Sequence, residues 1–182
     1  MEKIDKTKIL FSREEMFELN KERLASRGVT IDDIAKIAQK QQSRFTKDIS
    51  YDVCLESTKK ILSYADAFHI IQLGIEIDEL TEQGKLSSPI QEIIKSDLGL
   101  FGVDELLGLE LGGNFGIIGK TNFGDIDVNK PDIISKLNEE GKLPGHCHTF
   151  LDDIVGALAA CASTRVAQIY KERDALKQEG KI

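Results

Sequence analysis

The stretch 150–170, FLDDIVGALAACASTRVAQIY, constrains the fold more than any other part of the chain. At ~100° per residue, Asp152, Gly156, Ala159 and Ser163 fall on one face of a helix. Asp153, Ala157, Ala160 and Thr164 fall on the next, with Ile154, Leu158 and Cys161 opposite, so no face is left for solvent. A helix that is apolar or small all round belongs at the centre of a domain, and its small residues let neighbours approach closely. Its uncharged run, 154–164, is far shorter than the ~20 residues that cross a bilayer. Its neighbours must therefore be other helices of the same fold.

Those helices are legible at both ends. Ser12-x-x-Glu15 is a capping box opening a charged helix that stops near Gly28, and Thr30-x-x-Asp33 opens another that carries Ile31, Ile34, Ile37 and Ala38 at helical spacing. Further helices are expected over 51–63, over 65–82 with Phe68, Ile71, Ile75 and Leu80 in phase, over 86–97 from Pro89, and over 103–111. Gly112-Gly113 then ends the pattern, and 114–130, rich in glycine and asparagine, is expected to be a long loop that carries function. Pro131 starts a short helix ending at Gly141, and Pro144-Gly145 turns the chain into the final one. No strand-like alternation extends beyond a few residues. The expected fold is all-α, a compact bundle of about six to eight helices around one central, buried C-terminal helix. Residues 1–28 read as a peripheral helical extension and 29–182 as a single domain, a division consistent with 182 residues.

Charge and cysteine usage exclude several functions. A net charge of −7 with both signs interspersed offers no basic run to a phosphate backbone, so nucleic acid is not an expected partner. VTIDDIAKIAQ looks like the first helix of a helix-turn-helix, but no glycine-containing turn and basic recognition helix follow. Three cysteines without a C-x-x-C pair, in a chain that opens MEKIDKTK without an apolar signal core, predict a reduced cytoplasmic protein. No transmembrane span is expected, and any membrane contact is peripheral.

The candidate chemistry lies in acidic pairs. Thr149-x-x-Asp152 reads as a capping box, and acids near a helix N-terminus are favoured by the macrodipole. A second adjacent acid, Asp153, on a helix meant for burial calls for a neutralising cation or partner, and a divalent metal supplies one. Asp104-Glu105 also heads a helix and alone reads as dipole compensation. GNFGIIGKT, 113–121, misses the P-loop pattern because Asn114 stands where glycine is required and no strand precedes it; Lys120 is kept only as a phosphate contact. Adjacent Cys147 and His148 on a helix would point ~100° apart, which favours local packing over a zinc site. Arg165 lies ~18 Å along the axis from Asp153 and reads as a packing or subunit contact.

RGVTIDDIA, VDELLGLELGGNFGIIGKTNFG, the D-x-x-K-P at Asp127 to Pro131, and CHTFLDDIVGALAA followed by Thr164-Arg165 resemble the phosphatidylglycerophosphatase A family. Within it they are most similar to the soluble, low-temperature-requirement C-like branch of Gram-positive bacteria. The family's D-E-x-x-G, D-x-x-K-P and D-D helix correspond in order to Asp104-Glu105-Gly108, to Asp127, Lys130 and Pro131, and to Asp152-Asp153. Its glycine-rich P-G-T-x-G motif and spanning helices have no counterpart here. The resemblance implies an all-helical homo-oligomer that hydrolyses a phosphate monoester, phosphatidylglycerophosphate to phosphatidylglycerol. Its partner would be a lipid headgroup or a phosphorylated small molecule. On this expectation Asp104, Glu105, Asp152 and Asp153 bind Mg²⁺, with Mn²⁺ as the alternative ion. Asp127 acts as a further ligand or base with Asp153 beside it, and Lys130, with Lys120, neutralises phosphate charge. The competing expectation is a non-enzymatic oligomeric helical protein that keeps these acids as a structural metal site or capping network.

Overall fold

A computed structural model describes residues 10–181, so the opening MEKIDKTK, with its lack of an apolar signal core, lies outside the described residues. Among the described residues the chain forms nine helices and no strand. They are α1 (Arg13–Ser26), α2 (Ile31–Gln42), α3 (Tyr51–Leu62), α4 (Ala65–Glu82), α5 (Ile90–Lys95), α6 (Val103–Gly113), α7 (Gly116–Asn129), α8 (Ile133–Gly141) and α9 (Leu151–Gln178).

α9 is the axis of the bundle. Every residue from Leu151 to Thr164 is buried, and α2, α3, α4, α6, α7 and α8 all pack on it. Gly156 explains why they can: a Cβ there would meet Phe123, Ile126 and Ile134 at 3.4–3.7 Å, so α7 and α8 already rest on its backbone. Arg165 is a packing contact, donating to Ser57 Oγ of α3 at 3.0 Å. Beyond Tyr170 the helix becomes charged and largely exposed.

The expected loop over 114–130 is instead helix α7, which forms an antiparallel hairpin with α6. Gly112 and Gly119 are there for close approach, while Gly116, at φ 74 with open space around it, serves the turn between the helices. A Cβ on Gly112 would lie 3.0 Å from the carbonyl oxygen of Gly119, and a Cβ on Gly119 would collide with the carbonyl of Gly112. Gly108 makes room in the same way for the ring of Phe123. The two helices therefore touch backbone to backbone, and the buried set Gly119, Asn122, Phe123 and Ile126 recurs at helical spacing.

At the other side α1 lies against α4 and α3. Its Leu24 is buried, and its buried Asn20 donates to the Leu62 carbonyl at 2.8 Å. Arg27, just past its end, forms a two-pronged pair with Glu82 at 2.9 and 2.6 Å. Among the described residues no helix is long and apolar enough to cross a membrane. Cys54, Cys147 and Cys161 are all buried free thiols.

Candidate functional site

Three segments far apart in sequence converge at the N-terminal end of α9. The N-terminus of α6 brings Asp104 and Glu105, the C-terminal end of α7 brings Asp127 and Lys130, and the first turn of α9 brings Asp152 and Asp153. Carboxylate oxygens of Asp104, Glu105 and Asp153 all lie within 4.8 Å of one another. That is a spacing one divalent ion can span, because such ions take carboxylate oxygens at ~2.0–2.6 Å.

The hydrogen bonding divides the acids into two groups. Lys130 Nζ donates to Asp127 Oδ1 at 2.7 Å, Asp152 Oδ2 at 2.9 Å and, more distantly, Asp153 Oδ1 at 3.3 Å. Asp152 Oδ1 in turn accepts from the backbone N–H of Asp153 at 3.0 Å. Asp104 and Glu105 have no such cation. Among the described residues, the only buried side-chain oxygens without a hydrogen-bond partner are Asp104 Oδ1 and Glu105 Oε2. A carboxylate oxygen removed from water and left unpaired is costly, so these two atoms fit a cation that they and Asp153 would hold.

The electrostatics agree. Burial first, then the neighbouring Glu105, holds Asp104 above the ordinary aspartate range. Burial and the Asp152 charge do the same for Asp153, with Lys130 opposing. Burial pushes Asp152 up to about 6 even though Lys130 pulls it down. For Lys130 itself burial favours the neutral amine, but Asp152, Asp127 and Asp153 outweigh it and keep the amine charged well above the usual lysine value. Carboxyls whose charged forms are this disfavoured are what a cation site presents before the cation arrives.

Lys130 is held there at a backbone expense. It caps α7 in the left-handed conformation, φ 40, its N–H donating to the Ile126 carbonyl at 2.8 Å. Glycine usually takes that position, and an L side chain there costs ~1–2 kcal/mol. The strain is offset by the three carboxylates the amine serves. Lys130→Met should therefore destabilise the metal-free protein at neutral pH by ~1–3 kcal/mol, the cost of leaving buried carboxylates without a partner, which stays below the range for a fully buried pair because the amine is 30% exposed. The sign of its pH dependence follows from the raised carboxyls. A carboxyl whose folded pKa exceeds its unfolded value weighs against folding only above that unfolded value, so the deficit should be small near pH 4 and grow as the pH rises through about 6, where Asp152 ionises. Urea denaturation of both proteins at pH 4.5 and 7.5 measures this, and a deficit independent of pH would contradict it.

Two sequence expectations fall elsewhere. Lys120 lies against Gly113, at the other end of α6, ~12 Å along the helix from Glu105, and is not brought to the acids. Thr149 does not cap α9: its hydroxyl donates to the Ile94 carbonyl at 2.7 Å, and α9, which begins at Leu151, has no side-chain cap of its own. The cap comes from α4, where the fully buried Asp78 accepts from the backbone N–H groups of Phe150 at 3.1 Å and Leu151 at 3.0 Å. Sequence held a signal for it, since Asp78 sits in phase with Ile71 and Ile75 on the buried stripe of α4, where an acid needs a reason. His146, Cys147 and His148 form no metal cluster among the described residues. Cys147 and His148 instead pack on Arg27 and Glu82, with Arg27 donating to the Cys147 carbonyl at 2.9 Å and Glu82 accepting its N–H at 2.9 Å.

Comparison with known proteins finds relatives over most of the chain. The chain is 40% identical to the uncharacterized protein YpjQ of Bacillus subtilis (strain 168) over 162 residues, 89% of this chain and 90% of that protein. It is 43% identical to the uncharacterized protein YutG of the same organism over 145 residues, 80% and 86% of the two chains. The crystal structure of the low temperature requirement C protein from Listeria monocytogenes matches with a TM-score of 0.82 at 40% identity, covering 86% of this chain and 97% of that one. The family model for phosphatidylglycerophosphatase A matches residues 49–168, a span that holds all six residues gathered at the end of α9. The chain belongs to the phosphatidylglycerophosphatase A family.

Proposed function

We propose that this protein is a divalent-cation-dependent phosphatase that hydrolyses a phosphate monoester, with phosphatidylglycerophosphate as the substrate suggested by its family. Mg²⁺ is the proposed ion and Mn²⁺ the alternative. The observation that carries the reading is the pair of unpartnered buried oxygens, Asp104 Oδ1 and Glu105 Oε2, on residues whose carboxylates cluster with that of Asp153.

Asp104, Glu105 and Asp153 would hold the ion. Bound there, it would offer positive charge to the phosphoryl oxygens and lower the pKa of water. Asp152 stays with Lys130 and fixes where the amine sits. The Lys130 ammonium, with its side chain 30% exposed, meets the negative charge of the phosphate. Asp127, its side chain 25% exposed and bonded through Oδ1 to that amine, would take a proton from the attacking water.

A lipid rather than a free phosphate ester is supported by the surface around these segments. Val103 (43%) and Val128 (82%) are exposed apolar residues beside Asp104 and Asp127, and Leu98 (52%) and Leu100 (97%) are exposed in the segment leading into α6. Phosphate release should be measured from phosphatidylglycerophosphate in micelles and from a soluble phosphomonoester, with Mg²⁺ and with chelator. Release from the lipid that vanishes with chelator is the expected result. Leu100→Glu, at a fully solvated position, should leave stability within ~0.5 kcal/mol and hydrolysis of the soluble ester unchanged while lowering release from micelles. Metal-dependent stabilisation with no release from either substrate would instead identify a non-enzymatic helical protein that keeps the acids as a structural metal site.

A further inference from the structure

We infer that Asp78, backed by the Arg27–Glu82 pair, is a positioning residue for this site: it fixes the first turn of α9 and thereby the placement of Asp152 and Asp153 against Asp104 and Glu105. The inference rests on the metal-site reading above.

A helix leaves its first N–H groups without intrahelical partners, and a cap on the preceding residues normally satisfies them. α9 has no such cap. Asp78 reaches across from near the C-terminal end of α4 and takes the N–H of Phe150 on both carboxylate oxygens, at 3.1 and 3.3 Å, and the N–H of Leu151 at 3.0 Å. The next two residues in the chain are Asp152 and Asp153. The turn that carries the acids is thus tied at its first residue to a different helix, and a carboxylate clamped on two successive N–H groups resists both rotation and sliding of α9.

The segment leading into α9 is held from the same side. Glu82, one turn along α4 from Asp78, accepts the Cys147 N–H at 2.9 Å, and Arg27 joins Glu82 to the Cys147 carbonyl at 2.9 Å and to His148 Nδ1 at 3.2 Å. Cys147 Sγ also donates to Asp78 Oδ1 at 3.5 Å. Residues 147–151 are therefore fixed by α1 and α4 on one side, while Asp104 and Glu105 arrive on α6. Arg27, just past the end of α1, thus supplies part of the support for the start of α9 from the N-terminal side of the chain.

Asp78→Asn is the sharpest test, because an amide keeps one acceptor oxygen and turns an NH₂ donor toward an N–H. Groups that orient metal ligands without touching the metal typically contribute 10–100-fold to affinity, so Mg²⁺ affinity of the full chain, read by calorimetry or thermal shift, should fall by about tenfold or more. Hydrogen exchange at the Phe150 and Leu151 amides should quicken in the same variant. Arg27→Met, which keeps most of the side-chain volume at a position only 11% exposed, is the second variant and should weaken Mg²⁺ binding several-fold even if Asp78→Asn does not fold. Reduced melting temperature with unchanged Mg²⁺ affinity in whichever variant folds would show a structural role alone and overturn the inference. If the unmodified protein binds no Mg²⁺, the site reading fails first and this inference with it; binding by the unmodified protein with equal affinity in the variants removes this inference and leaves the site intact.

Discussion

Asp153→Asn is expected to abolish metal-dependent stabilisation and to lower phosphate release more than ~100-fold, beyond what loss of a group behind a metal ligand costs. The substitution keeps volume and removes charge, which separates two roles for the residue. If Asp153 served only the helix N-terminus, asparagine would replace it within ~1 kcal/mol, since asparagine is itself favoured there. If Asp153 closes a cation site with Asp104 and Glu105, the variant loses one of three anionic ligands. Without metal it should fold at least as well as the parent above pH 4, because burial and the Asp152 charge hold the Asp153 carboxyl above its ordinary range and ionising it opposes folding. Melting temperatures with and without Mg²⁺, at pH 5 and 7.5, read both effects. Saturating Mg²⁺ at ~100 times its dissociation constant should stabilise the parent by ~2.7 kcal/mol and the variant by almost nothing. Equal metal responses in the two proteins would remove Asp153 from the site.

Gly119→Ala should be the most damaging single-methyl change in the α6–α7 hairpin, destabilising by ~1–3 kcal/mol or more. Its added Cβ meets the carbonyl of Gly112, a backbone atom that cannot rotate away, so the two helices must separate. Because these helices carry Asp104, Glu105, Asp127 and Lys130, separation should also weaken Mg²⁺ binding. A loop glycine with ordinary dihedrals would behave oppositely, since alanine there stabilises by ~0.4–1 kcal/mol through the unfolded chain. Denaturant unfolding distinguishes the two signs directly.

That contrast shows why the hairpin was the least legible part of the sequence. Glycine is punctuation when it supplies a turn and a packing device when it lets backbones meet, and a single sequence does not distinguish the two uses. The phase of Gly119, Asn122, Phe123 and Ile126 was present, but too few large residues mark it. The axis of the fold was easier to read. A helix with small and apolar residues on every face has one physical destination, and α9 occupies it from Leu151 to Thr164. The acids were legible as pairs because adjacent carboxylates on helices otherwise meant for burial are unusual. What local sequence could not convey was how they are shared out. Lys130 takes Asp127 and Asp152 and touches Asp153 more distantly, while the Asp153 carboxylate also clusters with Asp104 and Glu105. Asp78 carries no local capping signal because its partners lie 72 and 73 residues away at the start of α9, where Thr149 offers a plausible local cap. Long-range capping leaves no local motif, only a buried acid in phase with isoleucines.

The central claim is that Asp104, Glu105 and Asp153 form a divalent-cation site. It is tested most directly by a crystal of the full chain soaked in Mn²⁺, with the ion located by its anomalous scattering. The account requires a peak bounded by carboxylate oxygens of these three residues, with Lys130 still on Asp127 and Asp152. Scattering confined to surface acids, or an ion held by Asp152 with Lys130 displaced, would contradict it.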